Sequence, residues 1–309
     1  MLLWERFCIN RENWTVRIER FNGMHVRIIC RYAVLALAGV VACLGAYLAL
    51  STSRDEGVSV AFLDVGQGDG ILISSGSRQI LIDGGANAKV LRERLSDTMP
   101  FGDKDIELLL PTHPDADHIG ALSDMVVAYR AGAALETNAR KDTSVFRAWS
   151  DAKDRFGIDR IIPKYGTRVV FANGAALEVL APHDGRNVSD LDANDASIVA
   201  RLDYGEHAFL FTGDITDRVE KEIFAEDIDV LKVAHHGSKS SSSEAFLGRV
   251  RPGDAVVSAG ADNRYGHPHA DVLGRLRLAG ARVLRTDEAG TIAYSCRSAD
   301  DPCEISTAR

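Results

Sequence analysis

The chain has 309 residues, enough for one large domain or two small ones, with hydrophobic and charged fractions of 46% and 26% that are ordinary for a globular protein. Its formal net charge is −8, which argues against an extended surface for long nucleic acid, because phosphate binding requires an excess of Lys and Arg. Five cysteines are too few for a disulfide scaffold, and none of them has the spacing of a zinc site.

The N-terminal region differs in charge from the rest of the chain. Residues 1–31 form a basic segment, and residues 32–52 contain an uncharged apolar run close to the length of a membrane-spanning helix. The positive charge ahead of this run places the body outside the cytosol. We therefore predict a single-pass anchor in the bacterial inner membrane. Secretion after cleavage of a signal peptide beginning at Met24, or lipid attachment at Cys43, is the alternative.

Short apolar runs separated by turn signals begin after Thr52 and predict a domain over residues 56–297, followed by a C-terminal tail at 298–309. In the first half, apolar alternation predicts strands and longer periodic segments predict helices. The predicted strands are 58–65, 70–74, 78–85 and 106–113. The predicted helices are 89–99, 119–130 and 144–157.

The second half repeats the same mixture of strands and helices. The predicted strands are 176–182, 197–205, 206–214, 229–237, 255–260 and 282–287. The predicted helices are 216–227, 241–253 and 269–280. Because the order is mixed rather than strictly βαβα, we predict an α/β (α+β) fold in which two mixed sheets are covered by outer helices, a four-layer αββα sandwich preceded by one apolar N-terminal helix.

Unusual polar residues fall at the ends of several predicted strands. The densest cluster is THPDADHIGAL, where His113, Asp115, Asp117 and His118 follow a strongly apolar strand. Further strand ends carry Asp83, Asp214, and the pair His235 and His236. Imidazole and carboxylate ligands without thiolates suit zinc, manganese or iron rather than a structural zinc knot. Two divalent ions sharing Asp214 would offset the repulsion between these carboxylates.

HPDADH resembles the H-x-H-x-D-H signature of the metallo-β-lactamase superfamily. The ordered set LDVGQGDGILI, LIDGG, THPDADHIGAL, NDASIVARL, FTGDI, KVAHHGS and YGHP is similar to the hydrolase-like domain of ComEC/Rec2 competence proteins. The resemblance runs from about residue 58 to residue 295 and lacks the polytopic channel region of those proteins. It therefore implies the catalytic module and not a DNA-uptake channel.

The resemblance also implies roles for individual residues. His113 matches a ligand of the first metal, Asp117 and His118 match ligands of the second, and Asp214 matches the bridging aspartate. Asp115 stands where most of the superfamily has a second histidine, and an oxygen donor there favours manganese beside zinc.

Two positions of the resemblance leave alternatives open. One of His235 and His236 should complete the second metal site, while the other contacts the substrate. Asn194 occupies the place before Ser197 where a third histidine of the first site is usual.

Two divalent ions, zinc or manganese, would activate a water that Asp117 orients or deprotonates. His267 would stabilise developing charge or protonate the leaving group. Ser238 and Lys239 offer a hydroxyl and a cation to a phosphate, with Asn194 and Ser197 as further substrate contacts.

These expectations favour a binuclear metal-dependent hydrolase that cleaves phosphodiester bonds. Hydrolysis of an ester, lactone or β-lactam on the same site is the alternative enzyme function, and a non-catalytic binding module is the third. We also consider a disulfide between Cys296 and Cys303, which outside the cytosol would close a small loop.

Overall fold

The computed structural model describes residues 32–45, 57–183, 188 and 191–309. Two compact units are present, Met1–Arg54 and Asp55–Arg309. In the first unit, helix α1 covers residues 32–45 with exposed side chains. No helix within these described ranges combines the length and the apolar character needed to cross a bilayer. Part of the predicted anchor, together with the basic segment before it, lies outside the described residues.

The second unit contains two mixed β-sheets. The larger sheet consists of β1 (Val58–Phe62), β2 (Ile71–Ser75), β3 (Arg78–Ile82), β4 (Asp105–Leu110), β5 (Arg130–Leu135), β6 (Asp159–Ile161), β14 (Ile292–Cys296) and β15 (Glu304–Thr307). Its strands lie in the order β15-β14-β1-β2-β3-β4-β5-β6. Pairing is antiparallel from β15 to β3 and parallel from β3 to β6.

The smaller sheet has the same mixed character. It consists of β7 (Arg168–Val170), β8 (Ala176–Ala181), β9 (Val199–Tyr204), β10 (His207–Phe211), β11 (Val230–Lys232), β12 (Asp254–Val257) and β13 (Arg282–Arg285). Its strands lie in the order β13-β12-β11-β10-β9-β8-β7, and β10 through β13 are parallel. The predicted hairpin at Tyr204 and Gly205 is confirmed by the antiparallel β9–β10 pair.

Helices cover the outer faces of both sheets. They are α2 (Ala88–Thr98), α3 (Ala116–Ile119), α4 (Leu122–Ala128), α5 (Ser144–Phe156), α6 (Asp217–Glu220), α7 (Glu244–Val250) and α8 (Ala270–Leu278). The short helix α9 (Thr286–Ala289) follows β13, and its Ala289 packs against the core between the sheets. Helix α5 ends at Gly157, whose left-handed φ of 65° suits a residue without Cβ.

Three buried apolar layers confirm the αββα sandwich. Alternate residues of β1 show how the layers arise, because Val60 and Phe62 face the core between the sheets while Ala61 faces the outer helices. Phe209 and Phe211 supply the opposite side of the central layer from the smaller sheet. The third layer packs the smaller sheet against α7 and α8.

Two predicted helices differ from the structure. The predicted helix 119–130 begins earlier, at Ala116, and is interrupted near Gly120, where a Cβ would meet the Ala116 carbonyl oxygen at 2.3 Å. The predicted helix 216–227 is limited to the single turn of α6. Its last residue, Glu220, is buried and accepts hydrogen bonds from the backbone N–H groups of Ser242 and Ser243.

Part of the segment 298–309, predicted as a C-terminal tail, forms strand β15 (Glu304–Thr307) of the larger sheet. A disulfide joins Cys296 and Cys303 and turns the chain back, so that β15 pairs with β14. The disulfide hypothesis is therefore confirmed, and the sheet extends to Thr307.

Candidate metal centre

The strand ends of the two sheets bring together one cluster of histidines and aspartates. Asp83 follows β3, and His113 and His118 follow β4 in the larger sheet. Asp214 follows β10 and His236 follows β11 in the smaller sheet. The neighbouring strands of each pair run in parallel, so their carboxyl ends deliver these side chains to the same edge.

Asp214 lies at the middle of this cluster. One of its carboxylate oxygens is 3.3 Å from Nε2 of His118, 3.3 Å from Nε2 of His236 and 4.0 Å from Nε2 of His113. Asp117 approaches from the short helix α3, with a carboxylate oxygen 3.4 Å from Nε2 of His236. One carboxylate thus faces three imidazoles that come from both sheets.

The backbone near the two neighbouring histidines is unusual. We predicted that strand 229–237 would end on them, but β11 ends at Lys232 and a 3₁₀ turn covers Ala234–Gly237. His235 and His236 have φ values of 50° and 54°, a left-handed conformation that is uncommon for residues other than glycine. This turn, rather than strand alternation, separates them. His236 is buried, while the side chain of His235 is 23% exposed.

Asp83 orients two histidines of the cluster. One of its oxygens lies 2.8 Å from Nδ1 of His118 and also accepts from the Thr112 hydroxyl at 2.8 Å. The Thr112 hydroxyl has a single proton, which it donates to Asp83. Toward His113, whose Nδ1 lies 3.0 Å away, the hydroxyl is therefore the acceptor. Both histidines then carry a proton on Nδ1 and turn the Nε2 atom toward Asp214. Such carboxylate–histidine contacts are typical around metal ligands.

The same logic applies to His236. Its Nδ1 donates to the Ser258 carbonyl oxygen at 3.0 Å, which leaves Nε2 as the ring atom directed at Asp117 and Asp214. The Asp214 backbone is in turn held by the Ser197 hydroxyl, which accepts from its N–H at 3.2 Å.

The atoms directed into the cluster fit a metal ion. Among the described residues, Nε2 of His113, His118 and His236 and Oδ1 of Asp214 are buried without a hydrogen-bond partner. Buried polar atoms are normally paired, and an ion is one of the few ways to satisfy several of them together. His113, His118 and Asp214 form one group whose ligand atoms lie within 4.8 Å of one another, and Asp117, His118 and His236 form another. The site therefore contains clusters able to bind a divalent metal.

Burial and neighbouring charges set the protonation of the cluster. Burial, assisted by His118, lowers the pKa of His113 to about 4, so its ring is neutral at pH 7. Burial alone would also lower the pKa of His118 and His236, but Asp214 and the adjacent carboxylates raise both well above the ordinary value. Burial would raise the pKa of Asp214, yet the two histidines hold it well below its usual range.

The profile of the metallo-beta-lactamase superfamily matches residues 63–261. The chain belongs to the metallo-beta-lactamase superfamily. It is 31% identical over 260 residues to ComE operon protein 3 of Bacillus subtilis (strain 168), covering 76% of this chain and 32% of that protein. It is 30% identical over 293 residues to Recombination protein 2 of Haemophilus influenzae, covering 93% of this chain and 34% of that protein.

These relatives confirm the resemblance to the competence proteins. This chain spans only about a third of their length. Among solved structures, the metallo-beta-lactamase fold protein YhfI from Bacillus subtilis is 12% identical with a TM-score of 0.51. The match covers 76% of this chain and 99% of that one, and it shows the fold alone.

Within this metallo-beta-lactamase domain, Asp115 does not join the ligand groups. It precedes α3, and its carboxylate accepts from Lys141 Nζ at 2.7 Å. Asp115 is the N-cap residue of α3, whereas Asp117 lies in its first turn with its carboxylate facing His236. The structure thus brings together five of the seven predicted ligands in these groups, and His235 lies at their margin, its Nε2 3.9 Å from Asp214.

The predicted substrate contacts are divided between the site and its surroundings. Ser197 is fully buried and positions Asp214 instead of facing a substrate. Asn194 lies in the loop before β9, where its carbonyl oxygen accepts from the Ser197 N–H at 3.0 Å. Lys239 is exposed, with Nζ 3.9 Å from Asp271. Its contact with a substrate remains a prediction.

Ser238 and His267 lie nearer the cluster. The Ser238 hydroxyl is 3.2 Å from that of Ser240, which is 3.5 Å from Nδ1 of His235. The His267 ring is 5.6 Å from the His235 ring and 6.2 Å from the His236 ring. Burial, followed by His236 and His235, lowers the pKa of His267 to about 4. Its ring is therefore neutral at pH 7, and its role in stabilising developing charge or protonating the leaving group stays a prediction.

Sequence reasoning did not assign the supporting role of four buried residues around the superfamily ligands. They are Asp69, Asp83, Thr112 and Lys232, all at most 1% exposed. Asp83 was noted only as a strand-end carboxylate, and Asp69, which lies between two glycines, was not singled out. A lysine in the middle of the apolar run VLKVA was the overlooked signal, since lysine is almost never fully buried unless it is paired.

Proposed function

We propose that this protein is a binuclear metal-dependent hydrolase that cleaves phosphodiester bonds with zinc or manganese as its cofactor. The observation that carries the proposal is the convergence of unpaired Nε2 atoms from three buried histidines on the Asp214 carboxylate. A purely structural role would leave no reason for so many unsatisfied polar atoms at one point.

The two ligand groups would each hold one ion, and His118 belongs to both of them. Asp214, whose carboxylate oxygen lies 3.3 Å from Nε2 of His118 and of His236, would contribute to both ions. Divalent ions bound there supply a water of lowered pKa and Lewis-acid polarisation of the substrate.

The protein's own residues would orient and deprotonate that water. Asp117 is the accessible carboxylate of the cluster, with 30% of its side chain exposed against 4% for Asp214. Burial opposes ionisation of Asp117, but His236 and His118 lower its pKa overall, so it is a carboxylate at pH 7. It can therefore hold the attacking water or accept its proton while the buried residues keep the centre in place.

Three observations favour a phosphodiester over a neutral ester or β-lactam. The Ser238 and Ser240 hydroxyls lie beside His235 and could donate to phosphate oxygens. The loop that carries them is fixed, because buried Glu220 accepts from the backbone of Ser242 and Ser243. Two curated relatives are named Recombination protein 2 and Competence protein ComA, names that refer to processes on DNA.

The location of the enzyme is part of the proposal. We propose that residues 32–52 tether the domain to the bacterial inner membrane with the catalytic body outside the cytosol. The charge difference between residues 1–31 and the acidic body supports this orientation, as does the disulfide at Cys296, which is typical of oxidising compartments.

A substrate panel on the purified full chain tests the reaction. Bound metal is quantified first, and turnover is then measured with zinc and with manganese. The substrates are bis-p-nitrophenyl phosphate, p-nitrophenyl acetate, nitrocefin and single-stranded DNA. We expect turnover of the phosphodiesters and its loss in Asp214→Asn. Turnover of nitrocefin or p-nitrophenyl acetate alone would favour ester or β-lactam hydrolysis, and bound metal without any turnover would favour a binding module.

A further inference from the structure

A fully buried lysine lies next to the metal centre. Lys232 ends β11, its side chain is 0% exposed, and its Nζ is 2.7 Å from Oδ2 of Asp69. Nζ also donates to the Val233 carbonyl oxygen at 3.0 Å. Two opposite charges removed from water in this way are tolerated only as a pair, because each alone carries a large desolvation cost.

The other oxygen of Asp69 lies beside His236, a predicted ligand of the metal centre. Oδ1 is buried without a hydrogen-bond partner among the described residues and lies 3.3 Å from Nδ1 of His236. Asp69, Asp214 and His236 offer ligand atoms within 4.8 Å of one another. Asp69 thus occupies the place of a further carboxylate ligand, yet its Oδ2 is bound to an ammonium group.

The position of Asp69 is fixed by the turn that carries it. Gly68 has a φ of 118°, and a Cβ there would meet the Asp117 carbonyl oxygen at 1.9 Å. That carbonyl accepts from the Asp69 N–H at 3.3 Å. The turn is therefore packed directly onto the HPDADH loop, while Lys232 reaches Asp69 from the opposite sheet.

We propose that Asp69 and Lys232 are positioning residues that together set the metal affinity of the centre. Lys232 neutralises Asp69 and keeps its carboxylate out of the ligand set. The ligands then remain those of the two groups that share His118. The inference rests on the proposed metal-dependent function and adds residues that determine how tightly the metal is held.

Opposite effects of the two charges follow from Coulomb's law. Without the lysine, an uncompensated carboxylate lies near the metal ions and can coordinate them, so the protein binds the ions more tightly. Without the carboxylate charge, an unpaired ammonium lies beside the cations and lowers their affinity. Removing both charges restores the local balance. A pair that only stabilised the fold would affect metal binding in the same direction in both single variants.

The test measures Zn²⁺ affinity by competition with a chelating dye, using the full chain and three variants. Lys232→Met should bind Zn²⁺ at least about tenfold more tightly, and Asp69→Asn at least about tenfold more weakly. The double variant should lie within about threefold of the wild type, since the pair carries no net charge. Lys153→Met is the matched control, because it removes another nearly buried lysine that pairs with a carboxylate, Glu136.

Several outcomes would overturn the inference. The pair would have only a structural role if both single variants shifted the Zn²⁺ affinity in the same direction. The same conclusion would follow if the wild type bound Zn²⁺ and both single variants bound it equally well. Should Lys232→Met fail to fold, the double variant must still bind more tightly than Asp69→Asn. A wild type without Zn²⁺ binding would remove this inference together with the proposed function, whereas Zn²⁺ binding without hydrolysis would remove only the proposed reaction.

Discussion

His118 donates from Nδ1 to Asp83 at 2.8 Å and turns its other ring nitrogen toward Asp214 at 3.3 Å. One imidazole thus connects a carboxylate from the β3 end of the larger sheet with one from the β10 end of the smaller sheet. Because Thr112 extends the same contact to His113, the orientation of two predicted ligands depends on Asp83.

Replacement of this orienting carboxylate should weaken metal binding without removing a ligand. We expect Asp83→Asn to lower Zn²⁺ affinity by roughly 10–100-fold, the range found for residues that orient metal ligands. Dye competition measures the change, and Asp97→Asn, at a 63% exposed surface carboxylate, is the control. Equal affinities of Asp83→Asn and the wild type would contradict the orienting role.

The two aspartates of HPDADH should respond differently to substitution. Asp115 pairs with Lys141, whereas Asp117 faces His236. Asp115→Asn should therefore retain the metal stoichiometry of the wild type, and Asp117→Asn should lose metal and activity. Metal analysis after dialysis distinguishes the two, and the prediction is wrong if Asp115→Asn also loses metal.

The neighbouring histidines provide a similar comparison. His236 is buried, and its Nε2 lies within 3.4 Å of the Asp117 and Asp214 carboxylates. His235 is partly exposed, and its Nε2 lies 3.9 Å from Asp214. We expect His236→Gln to lose one metal ion and His235→Gln to keep both, with a higher KM for a phosphodiester. If His235→Gln lost metal and His236→Gln kept it, His235 would be the ligand and the prediction would be wrong.

Metal uptake should release protons. The carboxylates that raise the pKa of His118 and His236 keep both rings protonated at pH 7 when no ion is bound, and these protons must leave before Nε2 can bind a cation. Affinity should therefore increase with pH. Titration calorimetry in two buffers of different ionisation enthalpy measures the proton release, and buffer-independent heats would refute it.

The same shifts predict how stability depends on pH after metal removal. A histidine whose pKa is higher in the folded protein than in the unfolded chain stabilises the fold below the unfolded pKa, near 6.5. That contribution is lost as the pH rises through the folded pKa. The free energy of unfolding of chelator-treated protein should therefore fall above about pH 6.5. Urea denaturation across this range measures it, and metal-loaded protein is the control.

The sequence by itself determined the layered fold and most of the ligand types. Alternating apolar residues such as Val60 and Phe62 predict strands with two buried faces, since side chains alternate across a strand. The density of imidazole and carboxylate in HPDADH likewise indicates metal chemistry without reference to coordinates.

Only the tertiary structure decided which of these side chains meet. Asp115 and Asp117 are equivalent in a residue pattern, but the short helix α3 and Lys141 direct one of them away from the centre. The left-handed turn at His235 and His236 has no clear sequence signal, because its φ values depend on the strands and the loop around it. Asp69 and Lys232 are 163 positions apart in the sequence, and they form an ion pair because the two sheets pack face to face.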